Sequence, residues 1–209
     1  MNNYVITIAR GFGSGGKEIG IKLSAELGIP CYEEQILKMA SEKSGVNEIL
    51  FQKVDEKLTG NYITKALKQI PVSGVVKPSD KRFVSDINLF NIQAQIIEEL
   101  ARTESCIIIG KCADYILGNK KNVIKIYIEA PRSACINSIM NKLHINQEEA
   151  EKLIIKTDKY RGDYYKYYTG GRQWTNPVNY DMVLNSERIG RDKCVKLIKD
   201  YIGLQMNLL

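Results

Sequence analysis

The sequence contains few of the side chains that proteins use to bind zinc. It has a single histidine, His144, and its five cysteines include no Cys-x-x-Cys pair. A zinc site needs clustered cysteine or histidine ligands, usually closely spaced in the sequence. We therefore predict that the cysteines are buried free thiols, several of which lie in apolar runs. They are Cys31, Cys106, Cys112, Cys135 and Cys194.

Long apolar runs are also absent from the sequence. No run approaches the roughly 20 residues that a transmembrane helix requires. The first residues do not combine a basic segment with a long apolar stretch, as secretory signals do. The sequence therefore predicts a cytoplasmic protein with no membrane partner.

The composition is that of an ordinary globular protein. Hydrophobic residues make up 44% and charged residues 26% of the chain, which excludes disordered and collagen-like architectures. A chain of 209 residues suits a single domain covering residues 1–209. The 30 lysines and arginines and the 24 aspartates and glutamates give a net charge of +6. This mild excess suits anionic ligands such as nucleotides without requiring nucleic acid.

Apolar β-branched runs alternate with segments of helical periodicity. The runs predict strands at 4–9, 106–109, 123–128 and 181–185, and the periodic segments predict helices at 18–27, 35–44, 46–69, 84–102 and 192–202. A further helix is expected to begin at a capping box formed by Asn146 and Glu149 and to run towards Tyr168. Strands that alternate with helices form parallel sheets, so the sequence predicts an α/β fold.

The segment from Gly11 to Lys17 fits two phosphate-binding patterns. As Gly-x-Gly-x-x-Gly it predicts a dinucleotide site, with Glu33 or Glu34 about 20 residues on for the ribose, and hence an NAD-binding oxidoreductase. As Gly-x-x-x-x-Gly-Lys it predicts a P-loop, whose backbone N–H groups surround the phosphates of ATP. Lys17 favours the P-loop because its ammonium can reach the β and γ phosphates. A third interpretation, in which the glycine turn only packs the helix against the strand, stays open. The predicted phosphate ligands are Gly11, Gly13, Ser14, Gly15, Gly16 and Lys17.

The residue after the lysine departs from the P-loop pattern. Serine or threonine usually stands there, and its hydroxyl binds Mg²⁺, whereas this chain has Glu18. A carboxylate can bind Mg²⁺ directly or through water, but without the metal it would repel the phosphates. We predict that Glu18 helps to hold Mg²⁺ and that ATP and Mg²⁺ are the cofactors.

Four stretches of the chain together resemble the cytidylate kinase-like family of P-loop proteins. They are 8–18, 107–115, 157–161 with Tyr164 and Tyr165, and 179–181 leading to Asn185 and Ser186. Lys111 stands where relatives usually have arginine, and a glutamate after the P-loop lysine distinguishes this looser family from true cytidylate kinases. The resemblance implies a three-layer fold with a five-stranded parallel sheet, a helical acceptor-binding region at about 33–102 and a lid at about 152–178.

The resemblance also implies ATP-dependent phosphoryl transfer to a nucleoside monophosphate, either CMP or a related small acceptor. Such a transfer depends on alignment and charge neutralisation, so the expected catalytic groups are the cations Lys17, Arg161 and Lys159. Other side chains follow the carboxyl ends of strands, where ligands of parallel sheets gather. The predicted acceptor-binding residues are Arg10, Glu33, Lys111 and Asp114.

Two further interpretations stay open. Glu18 in place of a hydroxyl suits a nucleotide-binding regulator with weak catalysis, whereas the cationic helix of the lid favours an active kinase. Tyrosines at 160, 164, 165, 167 and 168 lie among basic residues, a pattern that suits stacking on nucleic-acid bases. Because they fall on more than one helical face, packing within the lid or at a homo-oligomer contact is favoured over nucleic-acid binding.

Overall fold

The computed structural model describes residues 3–56, 84–118 and 120–205. The strands of these residues are β1 Val5–Arg10, β2 Cys31–Tyr32, β3 Cys106–Ile109, β4 Val123–Glu129 and β5 Met182–Asn185. They form one parallel sheet in the order β2-β3-β1-β4-β5. This confirms the predicted α/β fold with a five-stranded parallel sheet. The dinucleotide-binding fold places β2 beside β1, whereas here β3 lies between them.

The helices of the described residues cover both faces of the sheet. They are α1 Gly16–Leu27, α2 Gln35–Ser44, α3 Glu48–Glu56, α4 Asp86–Thr103, α5 Ala113–Ile116, α6 Arg132–Leu143, α7 Gln147–Tyr168, α8 Ser186–Ile189 and α9 Arg191–Gln205. A single turn of 3₁₀-helix, Pro177–Asn179, precedes β5. Within the described ranges, none of these helices is both long enough and apolar enough to cross a membrane.

Strand β1 lies at the centre of the sheet and is buried on both faces. Val5 packs into a core formed with α2, α3, α4 and α7, whereas Ile6 and Ile8 pack into a second core formed with α1 and α9. All three side chains are 0% exposed. A strand that is apolar on both sides is typical of a parallel sheet covered by helices on both faces. The fold therefore has the three layers that the resemblance implied.

The tyrosines of α7 pack against α4. The ring of Phe90 stacks on that of Tyr168 with centroids 4.0 Å apart and meets Tyr164 edge-on at 6.2 Å. Tyr164, Tyr165 and Tyr168 are buried. The packing interpretation therefore holds for these three residues.

Most predicted elements lie close to the observed ones. The predicted helix at 35–44 is α2, and the capping box of α7 is present, with Asn146 and Glu149 exchanging hydrogen bonds of 3.0 and 3.1 Å. Of the predicted helix at 46–69, α3 covers 48–56, and residues 57–69 lie outside the described ranges. The cysteines are free, and four of them are buried. The division into an acceptor-binding region and a lid stays a prediction.

The carboxyl ends of four strands meet at one edge of the sheet. Arg10 is the last residue of β1, Glu33 follows β2, Lys111 lies two residues after β3, and Glu129 is the last residue of β4. In a parallel sheet, ligands bind at this edge. The fold thus brings together charged residues that lie far apart in the chain.

Candidate functional site

The glycine turn connects the end of β1 to the start of α1. The Gly11 N–H donates to the carbonyl of Ile128 in β4 at 3.1 Å, and the Ser14 N–H folds back onto the carbonyl of Gly11 at 3.3 Å. Gly13 has a φ of 88°, in the left-handed region that favours glycine. The turn thereby leaves the first backbone N–H groups of α1, which begins at Gly16, without partners inside the helix.

A cavity of about 340 Å³ lies at this helix terminus and is called the donor cavity here. Its lining includes the glycine turn, Lys17 and Glu18, together with Ser138 and Lys142 of α6. Helix N-termini that follow glycine turns bind anions through their free N–H groups and the helix dipole. The donor cavity is therefore suited to phosphate groups.

The structure places the predicted phosphate ligands in two different ways. Gly11, Gly13, Gly15, Gly16 and Lys17 line the donor cavity. The side chain of Ser14 is instead 1% exposed, and its hydroxyl has no hydrogen-bond partner within the described ranges. The Ser14 carbonyl accepts a hydrogen bond of 2.5 Å from the Ser186 hydroxyl. Ser14 is thus held inside the turn and does not line the donor cavity.

Glu33 bridges Lys17 and Arg10. Its Oε2 lies 2.5 Å from Lys17 Nζ, and its Oε1 accepts a hydrogen bond from Arg10 Nη2. Burial alone would raise the pKa of Glu33, but the two cations outweigh it and the pKa lies below the ordinary value. The hydrogen bond to Glu33 raises the pKa of Lys17. These shifts favour the charged forms of Glu33 and Lys17 near neutral pH, whereas burial lowers the pKa of Arg10 and the charge of Glu33 opposes this.

A second cavity of about 300 Å³ adjoins the first and is called the acceptor cavity here. Arg10, Lys111 and Arg161 contribute cationic groups to its lining. Aromatic side chains of Tyr160, Tyr164, Tyr165 and Trp174 also line it. The cavity thus combines positive charge with aromatic surface.

The backbone around Lys111 has an uncommon conformation. Gly110, Lys111 and Cys112 have φ values of 73°, 56° and 54°. A non-glycine residue in this region costs on the order of 1–3 kcal/mol, and such residues concentrate at ligand sites. Burial, followed by the charge of Arg10, lowers the pKa of Lys111 to about 8. The side chain of Lys111 is therefore a cation that titrates near physiological pH.

Asp114 lies in α5 and lines the acceptor cavity. It is 6% exposed and accepts a hydrogen bond of 2.7 Å from the Tyr165 hydroxyl. Burial raises the pKa of Asp114, although the hydrogen bond from Tyr165 opposes this. Tyr164, also on this wall, has a buried hydroxyl with no hydrogen-bond partner within the described ranges. Asp114 and Tyr164 thus place polar side chains in the wall of this cavity.

Helix α7 contacts the glycine turn through Asp158 and Arg161. Asp158 Oδ1 accepts a hydrogen bond of 2.8 Å from the Phe12 N–H, and Arg161 Nη1 donates to the Arg10 carbonyl at 3.1 Å. The Arg161 guanidinium also lies 5.3 Å from the centroid of the Phe12 ring. Burial, followed by the charge of Arg10, lowers the pKa of Arg161 to about 10, so the group stays positive at neutral pH.

The two predicted cations of the lid have different positions. Arg161 lines both cavities, as do Arg10, Glu33 and Glu34. Lys159 lines neither cavity, is 62% exposed, and pairs with Asp163 at 2.5 Å. The junction of the cavities therefore contains Arg161, whereas a catalytic role for Lys159 stays a prediction that requires its side chain to move.

Glu18 is paired with a lysine. Its Oε1 lies 2.8 Å from Lys142 Nζ. Burial would raise the pKa of Glu18, but the hydrogen bond from Lys142 and nearby positive charge outweigh it and lower the pKa. No group of three or more metal-binding side chains occurs within the described ranges. Glu18 is a carboxylate in the lining of the donor cavity, and its role in holding Mg²⁺ that arrives with nucleotide phosphates stays a prediction.

Sequence reasoning assigned no role to three residues near the glycine turn. They are Asp158, Lys142 and Glu129. Glu129 packs against Gly11 so closely that a side chain at that position would overlap its carboxylate, which also accepts a hydrogen bond of 2.5 Å from the Tyr127 hydroxyl. Asp158 belongs to the stretch 157–161 that carries the family resemblance, so the sequence could have identified it as a candidate site residue. No sequence pattern marks Lys142, because its position at the cavity depends on the packing of α6.

Sequence comparison identifies one family. The profile described as the cytidylate kinase-like family matches residues 5–188, which is most of the chain. No curated protein matches the chain.

Structural comparison identifies neighbours of low sequence identity. A crystal structure of an uncharacterized protein from Eubacterium ventriosum ATCC 27560 is 23% identical, with 96% of this chain and 98% of that chain covered and a TM-score of 0.69. Shikimate kinase from Bacteroides thetaiotaomicron is 10% identical, with coverages of 95% and 98% and a TM-score of 0.52. TT1252 from Thermus thermophilus is 14% identical, with coverages of 96% and 98% and a TM-score of 0.51. At these identities the likeness concerns the fold.

Proposed function

The chain belongs to the cytidylate kinase-like family, and from this premise we propose that it transfers the γ-phosphoryl group of ATP to a nucleoside monophosphate. The observation that carries the proposal is the contact between the two cavities. The donor and acceptor cavities share Arg10, Glu33, Glu34 and Arg161. A phosphoryl group can pass between two ligands only if both are held at a common junction, in line and close together.

In the proposed reaction, an anionic phosphate oxygen of the acceptor attacks the γ-phosphorus of ATP. The bond to the β–γ bridging oxygen breaks, so that ADP leaves and the acceptor becomes a nucleoside diphosphate. The acceptor oxygen carries no proton, so no general base is needed. The protein neutralises the charge on the phosphates, with Lys17 at the donor and Arg161 at the junction. Bound with ATP, Mg²⁺ would add charge neutralisation at the β and γ phosphates, held by Glu18.

The acceptor cavity suits the two parts of a nucleoside monophosphate. Arg10, Lys111 and Arg161 supply the positive charge that a phosphate requires. The aromatic side chains and the hydrogen-bonding groups of Asp114 and Tyr164 suit a planar polar base. Such a cavity accommodates CMP and also other nucleoside monophosphates of similar size.

One observation favours the second candidate, a nucleotide-binding regulator with weak catalysis. Lys17 and Glu18, which would contact the phosphates and the metal, are both engaged in ion pairs with Glu33 and Lys142. If these pairs persist when ATP binds, transfer would be slow. No comparable observation favours an NAD-binding oxidoreductase, whose strand order differs from that of this sheet.

A product assay tests the proposal. The protein is incubated with ATP, Mg²⁺ and, one at a time, CMP, UMP, AMP, GMP and dCMP, and the nucleotides are separated by chromatography. The expected result is ADP together with the matching diphosphate for at least one acceptor. Shikimate is included because one structural neighbour is a shikimate kinase. If phosphoryl transfer occurs only to shikimate, the acceptor is a hydroxyl group and not a nucleoside monophosphate. ATP binding without transfer to any acceptor would favour the regulator.

A further inference from the structure

The Glu18–Lys142 pair connects two helices at the donor cavity. Glu18 lies in the first turn of α1, and Lys142 lies in the last turn of α6. Their charged atoms are 2.8 Å apart, and both side chains line the cavity. They are 41% and 55% exposed, respectively, so a ligand that enters the cavity can reach both. The pair is therefore part of the surface that a nucleotide meets.

The position of Glu18 creates an electrostatic conflict. It follows the lysine of the glycine turn directly, so phosphates bound at the N-terminus of α1 lie near its carboxylate. The negative charges of the phosphates and the carboxylate repel each other strongly where water is partly excluded. A cation next to Glu18 reduces this conflict. Lys142 pairs directly with the carboxylate, Arg191 adds positive charge nearby, and a metal ion that accompanies the nucleotide is a third source. Lys142 and the metal compete, because each needs the carboxylate oxygens of Glu18.

We propose that Lys142 is a nucleotide-binding residue, which neutralises Glu18 in the absence of metal and releases it when Mg²⁺ enters with the nucleotide. The proposal rests on the proposed ATP site. Its consequence is that the native protein binds metal-free ATP as well as its magnesium complex. Without Lys142, Glu18 would lose its ion pair, and the affinity for ATP would become more strongly dependent on Mg²⁺.

The chain offers a matched control for this ion pair. Lys199 of α9 pairs with Glu26 of α1 at 2.9 Å, with side chains 39% and 36% exposed. This pair also joins a later helix to α1, at a similar distance and exposure, but neither residue lines the donor cavity. Lys199→Met therefore measures the effect of removing a lysine–glutamate ion pair from α1 without changing the lining of the donor cavity.

The experiment measures the dissociation constant of fluorescent N-methylanthraniloyl-ATP in EDTA and in excess Mg²⁺. The proteins are the native chain, Lys142→Met, Glu18→Gln, the double variant and Lys199→Met. For Lys142→Met we expect affinity roughly tenfold weaker than native in EDTA and within about threefold of native in Mg²⁺. In the double variant the loss in EDTA should largely disappear, because no carboxylate remains to be neutralised. Lys199→Met should match the native protein in both conditions.

Equal effects of Lys142→Met in EDTA and in Mg²⁺, or no effect in either, would overturn the role of Lys142 while leaving the ATP site intact. A loss in EDTA that persists in the double variant would also overturn it, because the loss would then not depend on Glu18. Absence of ATP binding by the native protein in both conditions would refute the proposed function together with this inference. Binding as expected without phosphoryl transfer would refute only the proposed kinase activity.

Discussion

Asp158 of α7 and Phe12 of the glycine turn are joined by a hydrogen bond, in which the Phe12 backbone N–H donates to Asp158 Oδ1 at 2.8 Å. Arg161, one turn further along α7, donates to the Arg10 carbonyl at 3.1 Å. The helical part of the predicted lid is therefore attached to the glycine turn on both sides of Gly11. These contacts couple the position of α7 to the shape of the donor cavity.

Replacing Asp158 tests this coupling. Asp158→Ala leaves the Phe12 N–H without its acceptor, and we expect the free energy of unfolding to fall by about 1–3 kcal/mol. ATP affinity should fall as well, because the turn loses its contact with α7. Asp158→Asn retains an acceptor oxygen but loses the ion pairs with Arg132 at 3.7 Å and Arg161 at 3.8 Å, so its stability should fall less than that of Asp158→Ala. Urea unfolding and ATP titration measure the two effects, and equal losses in both variants would contradict the assigned hydrogen bond.

Lys17→Met should abolish most of the turnover while leaving the fold intact. Lys17 is 44% exposed, so its loss exposes no core, but it removes the ammonium that neutralises the donor phosphates. We expect turnover to fall by roughly 100-fold or more. Lys22→Met is the matched control, because Lys22 is a 47% exposed lysine of α1 that pairs with Asp192 at 2.7 Å and lines neither cavity. Equal turnover of the two variants would refute the role of Lys17.

The pKa of Lys111, about 8, predicts a pH dependence of acceptor binding. Lys111 is charged below this pH and neutral above it, so kcat/KM for the acceptor should fall as the pH rises above about 8. A bound anionic acceptor stabilises the charged form of Lys111 and so raises its pKa. The decline in kcat should therefore begin at a higher pH than the decline in kcat/KM. Lys111→Arg keeps its charge throughout this range and should remove the decline in kcat/KM. A decline of the same size in Lys111→Arg would assign the titration to another group.

Four of the five strands and the glycine turn were predictable from the sequence because each has a local sequence pattern. The run at 4–9 predicted β1 through its apolar side chains, and the spacing of Gly11, Gly16 and Lys17 predicted the turn. Strand β2 was not predicted, because its two residues, Cys31 and Tyr32, carry no periodic signal. Its pairing with β3 is what orders this segment, and that pairing is tertiary.

The ion pairs and hydrogen bonds of the site were less predictable because they join distant parts of the chain. Lys142 lies 124 positions from Glu18, and Asp158 lies 146 positions from Phe12. Such pairs depend on how α6 and α7 pack over the sheet edge, which no local pattern specifies. Arg10 and Lys111 were predictable as site residues because each follows or ends a strand at the ligand-binding edge. Glu33, the partner of Arg10, was predicted as an acceptor ligand, but its bridge to Lys17 was not.

Gly13→Ala should impair both stability and nucleotide binding. Gly13 has a φ of 88°, and an added Cβ would lie 2.8 Å from the carbonyl oxygen of Cys135, a backbone atom that cannot easily move away. Gly28→Ala is the matched control, because Gly28 has a φ of 64° at the end of α1 and no atom within 4 Å of an added Cβ. In Gly28→Ala the free energy of unfolding should fall only by the cost of an alanine in the left-handed conformation, about 1–2 kcal/mol. This control should bind ATP normally.

Gly13→Ala should lose more than the control, because the turn must shift to relieve the overlap with Cys135 and this shift displaces the N–H groups around the phosphates. Urea unfolding gives the two free energies, and titration with ATP gives the two affinities. Equal stability loss together with native affinity in both variants would contradict a role for the Gly13 conformation. A loss of affinity in Gly13→Ala alone would locate phosphate binding in the turn, independently of any effect on turnover.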